Sequence, residues 1–285
     1  MLTTMRDPSA PRCYVVLDLE SAVIDDSAHR RYREMERWTP ADAEAGKCRR
    51  GYEASKDPLI TPRWPFQSVV ALSAMVLVEH CDGNLELARF ATFSAPDLDE
   101  AGAVAGLFDL LAQLPPGAEL VTWAGASHDI PLIVLAALRN GISLPKGWGW
   151  LAFCGDGRGN HIDLCRVLTG GSKMKLVHMA EYLAALSIPA KLTTPPFAVA
   201  SLIAVGDYET LQEVVEGDVI STALLLARWR SLLDPRARFD IVEERLLRQI
   251  EEQRPNRAYR AALHQHRERA LRRWIEHEGK TLVSA

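Results

Sequence analysis

Two apolar runs, Ser68 to Glu79 and Leu85 to Phe93, stand on either side of Asp82-Gly83-Asn84. Such runs read as strands, and the turn residues between them join the two into an antiparallel hairpin. A third run, Cys13 to Leu19, is rich in Val, Leu and Tyr and reads as a buried strand. Leu120 to Trp123 reads as a fourth. Helical periodicity covers Asp97 to Leu114, stopped by Pro115-Pro116-Gly117, and then a segment from about Ile130 to Asn140. Further on the chain reads as helical over Lys175 to Leu186, weakly over Leu202 to Val205, and over Tyr208 to Leu232. A hairpin sheet followed by alternating strands and helices predicts a mixed α/β domain.

Asp234-Pro235 marks a boundary, and two charged helical stretches follow it, broken near Pro255. The organisation expected is one domain over 1–234, with a charged excursion at 25–65, and a helical tail over 235–285. Of the 285 residues, 48% are hydrophobic, enough for a sizeable core. The longest apolar stretches, Pro131 to Leu138 and Ala223 to Ala227, are too short to cross a bilayer. The first residues lack the apolar segment of a signal peptide. The five cysteines have no Cys-x-x-Cys spacing, so a reduced, cytoplasmic chain without structural zinc is expected. The formal charge of −4 hides an asymmetry: residues 236–285 carry twelve basic and eight acidic side chains. An acidic body with a basic tail fits a carboxylate site joined to a phosphate-seeking arm; it also fits a solvated helix that happens to be rich in arginine.

The chemistry-bearing candidates are carboxylates. Asp18 and Glu20, in Leu17-Asp18-Leu19-Glu20, are two apart on a strand and project from one face. Side by side they repel unless a cation or proton intervenes. Asp129 follows a strand and a small-residue turn and opens a helix, where aspartate is also a common cap. Asp218 lies inside an apolar helical run, an arrangement equally typical of a solvated helix face.

In order, Leu17-Asp18-Leu19-Glu20, then Trp123-Ala124-Gly125 with Asp129-Ile130-Pro131, then Asp218-Val219-x-x-Thr222 resemble the three exonuclease motifs of the DEDD superfamily. The resemblance is closest to bacterial stand-alone proteins similar to the proofreading exonuclease domain of family B DNA polymerases. His161-Ile162-Asp163-Leu164, the stretch from Leu183 to Lys191 and Trp64-Pro65-Phe66-Gln67 resemble the same family, so that the likeness runs over roughly 12–230. It implies a ribonuclease H-like mixed sheet flanked by helices and a metal-dependent 3′→5′ exonuclease acting on single-stranded DNA or RNA ends. It further implies Asp18, Glu20, Asp129 and Asp218 as ligands of two Mg²⁺ or Mn²⁺ ions, hard cations suited to oxygen donors. Asp163 reads as a supporting residue, and Trp123 as a surface on which a base could stack.

Four positions depart from the family pattern. Val214 stands where a water-orienting tyrosine is usual, and Glu213 where the sister class has histidine. Ala124 replaces an asparagine and His128 a phenylalanine. Glu213 and His128 are the candidate substitutes for the missing water-positioning group. Two other readings fit the same residues: a catalytically weakened nucleic-acid-binding protein on this fold, and a scaffold that forms homo-oligomers through its tail.

Overall fold

The computed structural model describes residues 11–36, 61–153, 159–171, 177–194 and 198–283, with side chains through 276. Five strands form one sheet: β1 (Arg12–Ala22), β2 (Ser68–Glu79), β3 (Leu85–Ser94), β4 (Glu119–Thr122) and β5 (His161–Asp163), in the order β3-β2-β1-β4-β5. β2 runs antiparallel to β1 and β3, whereas β1, β4 and β5 are mutually parallel. This mixed sheet flanked by helices is the ribonuclease H-like architecture expected from the motifs.

The hairpin forms where Asp82-Gly83-Asn84 placed it. Gly83 has φ of +81°, and a Cβ there would lie 2.7 Å from the backbone of Ala237. Glycine is thus required both for the turn and for the close passage of the segment after Asp234.

Strand parity sorts the core into two layers. Along β1, Cys13, Val15, Leu17 and Leu19 face one cluster, which they share with α2 (Glu100–Ala112) and α3 (Asp129–Asn140). Tyr14 and Val16 face the other, built by α7 (Tyr208–Leu233), α8 (Phe239–Gln253) and the first turns of α9 (Arg260–Val283). Asp18 and Glu20 continue the second series, so the strand's alternation turns both carboxylates towards α7. Among the described residues are also the smaller helices α1 (Ser27–Met35), α4 (Leu164–Leu168), α5 (Met179–Ala185) and α6 (Val199–Val205).

Several boundaries differ from those read in the sequence. β1 continues through Ala22, beyond its last consecutive apolar residue. β5 and α4 were not expected, because three and five residues are too few for periodicity to register. Of the 25–65 excursion, α1 is a helix, whereas 37–60 lies outside the described residues. The helix expected from Lys175 begins at Met179.

The tail is no loose arm among the described residues. Val242, Leu246, Leu247, Ile250, Tyr259 and Leu263 share the core with α7 and the sheet. Most of its arginines are spent on intramolecular acids: Arg254 and Arg257 on Glu216, Arg267 on Glu251, and Arg273 on Glu243. Glu216 is fully buried and also accepts from Thr92 Oγ1 at 2.7 Å and Tyr259 Oη at 2.8 Å. These contacts fasten the segment between α8 and α9 to the middle of α7, the helix that carries Asp218. Arg245, Arg260, Arg269 and Arg272 remain exposed. No described helix is long and apolar enough to cross a membrane.

Candidate active site

The carboxyl end of β1 lies in the centre of the sheet, where open α/β sheets place their ligand crevices. Ligand-capable oxygens of Asp18, Glu20 and Asp218 lie within 4.8 Å of one another there. Residues 18 and 218 stand far apart in the chain; the parity of β1 and the seating of α7 across the sheet bring them together.

Asp129 joins the group through its field. It is 5% exposed, and its Oδ2 has no hydrogen-bond partner among the described residues. The sequence left open whether Asp129 caps a helix. It does not: it is the first residue of α3, the cap position is His128, and no side chain caps there. Burial, Asp163, Glu20 and Asp218 raise the Asp129 carboxyl from an ordinary 3.8 to about 8. A buried carboxylate oxygen without a donor is costly, and a cation is its natural complement.

The other acids are perturbed in the same sense. Burial, then Asp218, lifts Glu20 to about 7. Burial, then Asp129, Asp218 and Glu20, holds Asp18 well above the carboxylate range. Asp218 is also raised by burial, with Lys191 offsetting part of the effect. Acids crowded in this way repel one another, and protons or a cation relieve the repulsion.

One cation comes from the chain itself. The Lys191 ammonium donates to Asp218 Oδ2 and feels Asp18 and Glu20 as well. Burial opposes its charge, yet these acids raise its pKa above the ordinary lysine value. Lys191 sits in a left-handed turn at φ of 51°, after Ile188-Pro189-Ala190. Sequence reasoning noticed this stretch but assigned the lysine no role, since nothing local shows where a loop side chain will reach.

Asp163 organises the turn before Asp129. Its Oδ1 accepts from Ala124 N at 2.9 Å, and its Oδ2 from Ala126 N at 3.3 Å. The turn is tight: a Cβ on Gly125 would lie 2.5 Å from Thr122 Oγ1. Ala124 is held at φ of 59°, a conformation that asparagine tolerates better than alanine. Behind it, His161 Nε2 meets Thr122 Oγ1 at 2.9 Å, and burial pushes the imidazole down to about 4.

The two candidate water-positioning substitutes fare differently. Glu213 is buried, and its carboxylate accepts from Ala258 N at 2.6 Å. At five residues before Asp218 it projects from another face of α7, so it fastens the tail rather than serving the acid cluster. His128 stays close by, half-buried, with Nε2 3.4 Å from Ser21 Oγ, the residue after Glu20. Val214 is buried in an apolar cluster with Val70, Ala71, Val199, Leu211 and Val215, and its side chain offers no hydrogen-bonding group. Trp123 is partly buried with its ring 5.4 Å from that of Tyr182, so packing claims part of the surface expected to stack on bases.

A ribonuclease H-like sheet with acids gathered at the carboxyl end of its central strand defines the class of protein. The sequence over 62–266 matches the family described as predicted 3′–5′ exonucleases related to the exonuclease domain of PolB, and the chain belongs to that family. No curated protein matches it. Among solved structures, the family B DNA polymerase of the archaeon Pyrobaculum calidifontis is 18% identical, with a TM-score of 0.48 over 86% of this chain and 29% of the polymerase. E. coli exonuclease I in complex with an oligonucleotide is 12% identical, with a TM-score of 0.40 over 81% of this chain and 42% of that one. The chain thus spans less than half the length of either.

Proposed function

We propose that this protein is a metal-dependent 3′→5′ exonuclease acting on single-stranded DNA or RNA ends. The observation that carries the reading is the convergence of Asp18, Glu20 and Asp218 around one point, with Asp129 buried beside them and one oxygen unsatisfied. An all-oxygen set of this charge fits Mg²⁺ or Mn²⁺ better than softer metals. Asp18, Glu20, Asp129 and Asp218 would hold two such ions, which supply an activated water and neutralise charge on the leaving oxygen.

The chain's own groups do the rest. Asp163 fixes the turn that aims Asp129. Lys191 balances part of the acidic charge and so lowers the cost of admitting a phosphate. Val214 supports a second reading in which cleavage is slow, because a group that orients the attacking water contributes about 10²–10⁴-fold in rate.

The test is degradation of a 5′-labelled single-stranded oligonucleotide in Mn²⁺, in Mg²⁺ and in EDTA. Shortening from the 3′ end should require the metal and vanish in Asp18→Ala. Equal activity of Asp18→Ala and the parent would overturn the assignment. Metal-dependent binding without shortening would favour the weakened reading.

A further inference from the structure

Besides Lys191, a second nitrogen-bearing side chain, that of His178, acts on the acid cluster through its field. His178 is the residue before α5, and its neighbour Met179 is buried with Sδ 3.5 Å from Thr222 Oγ1. Thr222 lies one turn beyond Asp218 on α7, so the start of α5 is pinned beside Asp218, on the side away from Val214. The proximity registers in the acid, whose pKa His178 lowers against the dominant upward effect of burial.

The imidazole is exposed, and its orientation is set by the backbone. Nδ1 accepts from Ala180 N at 3.3 Å, which closes the start of the helix. A ring nitrogen that accepts carries no proton, so in neutral imidazole the proton is on Nε2. Nε2 has no partner among the described residues. His178 therefore keeps an N–H donor on Nε2 whether the ring is neutral or charged, on a residue whose neighbour packs one helical turn from Asp218.

We propose that His178 contacts the substrate, donating from Nε2 to the phosphate of the bond to be cut. The assignment rests on the nuclease reading above. A phosphodiester approaching four carboxylates needs donors as well as cations, and the Lys191 ammonium is already engaged by Asp218. A fixed N–H gives the phosphate a second anchor and a defined orientation. The recognised chemistry is the phosphate itself, so the contact serves DNA and RNA alike.

The capping role and the substrate role can be separated by crossed substitutions. Serine is a good helix cap but cannot reach outward, so His178→Ser keeps the first role and removes the second. Glutamine caps poorly but carries an amide N–H near the position of Nε2, so His178→Gln does the reverse. Binding of a labelled single-stranded oligonucleotide is measured by anisotropy in Ca²⁺ and in EDTA, with melting temperatures alongside. His178→Ser should melt like the parent and bind about tenfold more weakly, the loss expected for one hydrogen bond to a charged group. His178→Gln should recover most of the binding. If His178→Ser binds as the parent does while His178→Gln is impaired, the histidine is only a cap and the proposal falls, with the nuclease reading untouched. A parent protein that neither binds nor shortens single-stranded DNA or RNA overturns both.

Discussion

Replacing Asp129 with asparagine should stabilise the metal-free protein, and by an amount that grows with pH. The folded state holds the Asp129 proton up to about pH 8, whereas an ordinary aspartate releases it at 3.8. Below the lower value both states are protonated and the site costs nothing. As pH rises through it, the unfolded chain ionises first, so stability falls until the folded carboxyl ionises too. A separation of about four units sets a ceiling of about 6 kcal/mol. Glu20, Asp18 and Asp218 share the crowding, so about half of that ceiling is expected from one substitution. The asparagine side chain has nearly the same shape as aspartate and no charge. In EDTA the gain over the parent should be about 3 kcal/mol at pH 8, or ~6–10 °C in melting temperature, and under about 1.5 kcal/mol at pH 5. Adding Mn²⁺ should reverse the order, because the parent gains binding energy that the variant has lost. Thermal melts by circular dichroism at the two pH values, in EDTA and in Mn²⁺, read all four quantities. A gain in EDTA that is equal at pH 5 and pH 8, or absent, would refute the reasoning.

Other substitutions test the supports of the site. Glu216→Ala should cost about 3–5 kcal/mol in chemical denaturation, since it leaves the half-buried Arg254 and Arg257 and the buried Tyr259 hydroxyl without their shared acceptor; a loss under about 1 kcal/mol would show that the cluster is not a fastening. Asp163→Ala releases the backbone N–H groups of Ala124 and Ala126 and should weaken Mn²⁺ binding by about 10–100-fold in calorimetry, with unchanged affinity as the contrary result. Ala124→Asn relieves a left-handed alanine and should raise stability by up to about 1 kcal/mol, whereas a lower melting temperature would mean that the turn tolerates alanine without strain.

Much of this was written locally. Asp18 and Glu20 follow Tyr14 and Val16 in the even series of β1, so the face they share could be read from alternation. Asp129 was found by its place after a strand and a turn, although its role as cap or ligand hung on one residue of helix boundary. What the sequence could not show is where side chains end. Glu213 and His128 were the candidates for the task that Val214 cannot perform; the segment 254–259 claims the first, while the second stays near Ser21. The tail's arginines looked like a phosphate-seeking arm because counting charges is blind to pairing. Their partners Glu216, Glu243 and Glu251 are themselves buried. Lys191 and His178 lie on short or irregular segments, where no period reveals direction.

The seating of α7 across β1 also imposes a timetable. Asp18 leaves the ribosome early and Asp218 late, and the Glu216 fastening waits for Tyr259. At ~5–20 residues per second, the growing chain spends on the order of tens of seconds with two strand-end carboxylates and no partner for them. The acid cluster therefore assembles only after the chain around Asp218 has emerged, and its fastening only after Tyr259 follows.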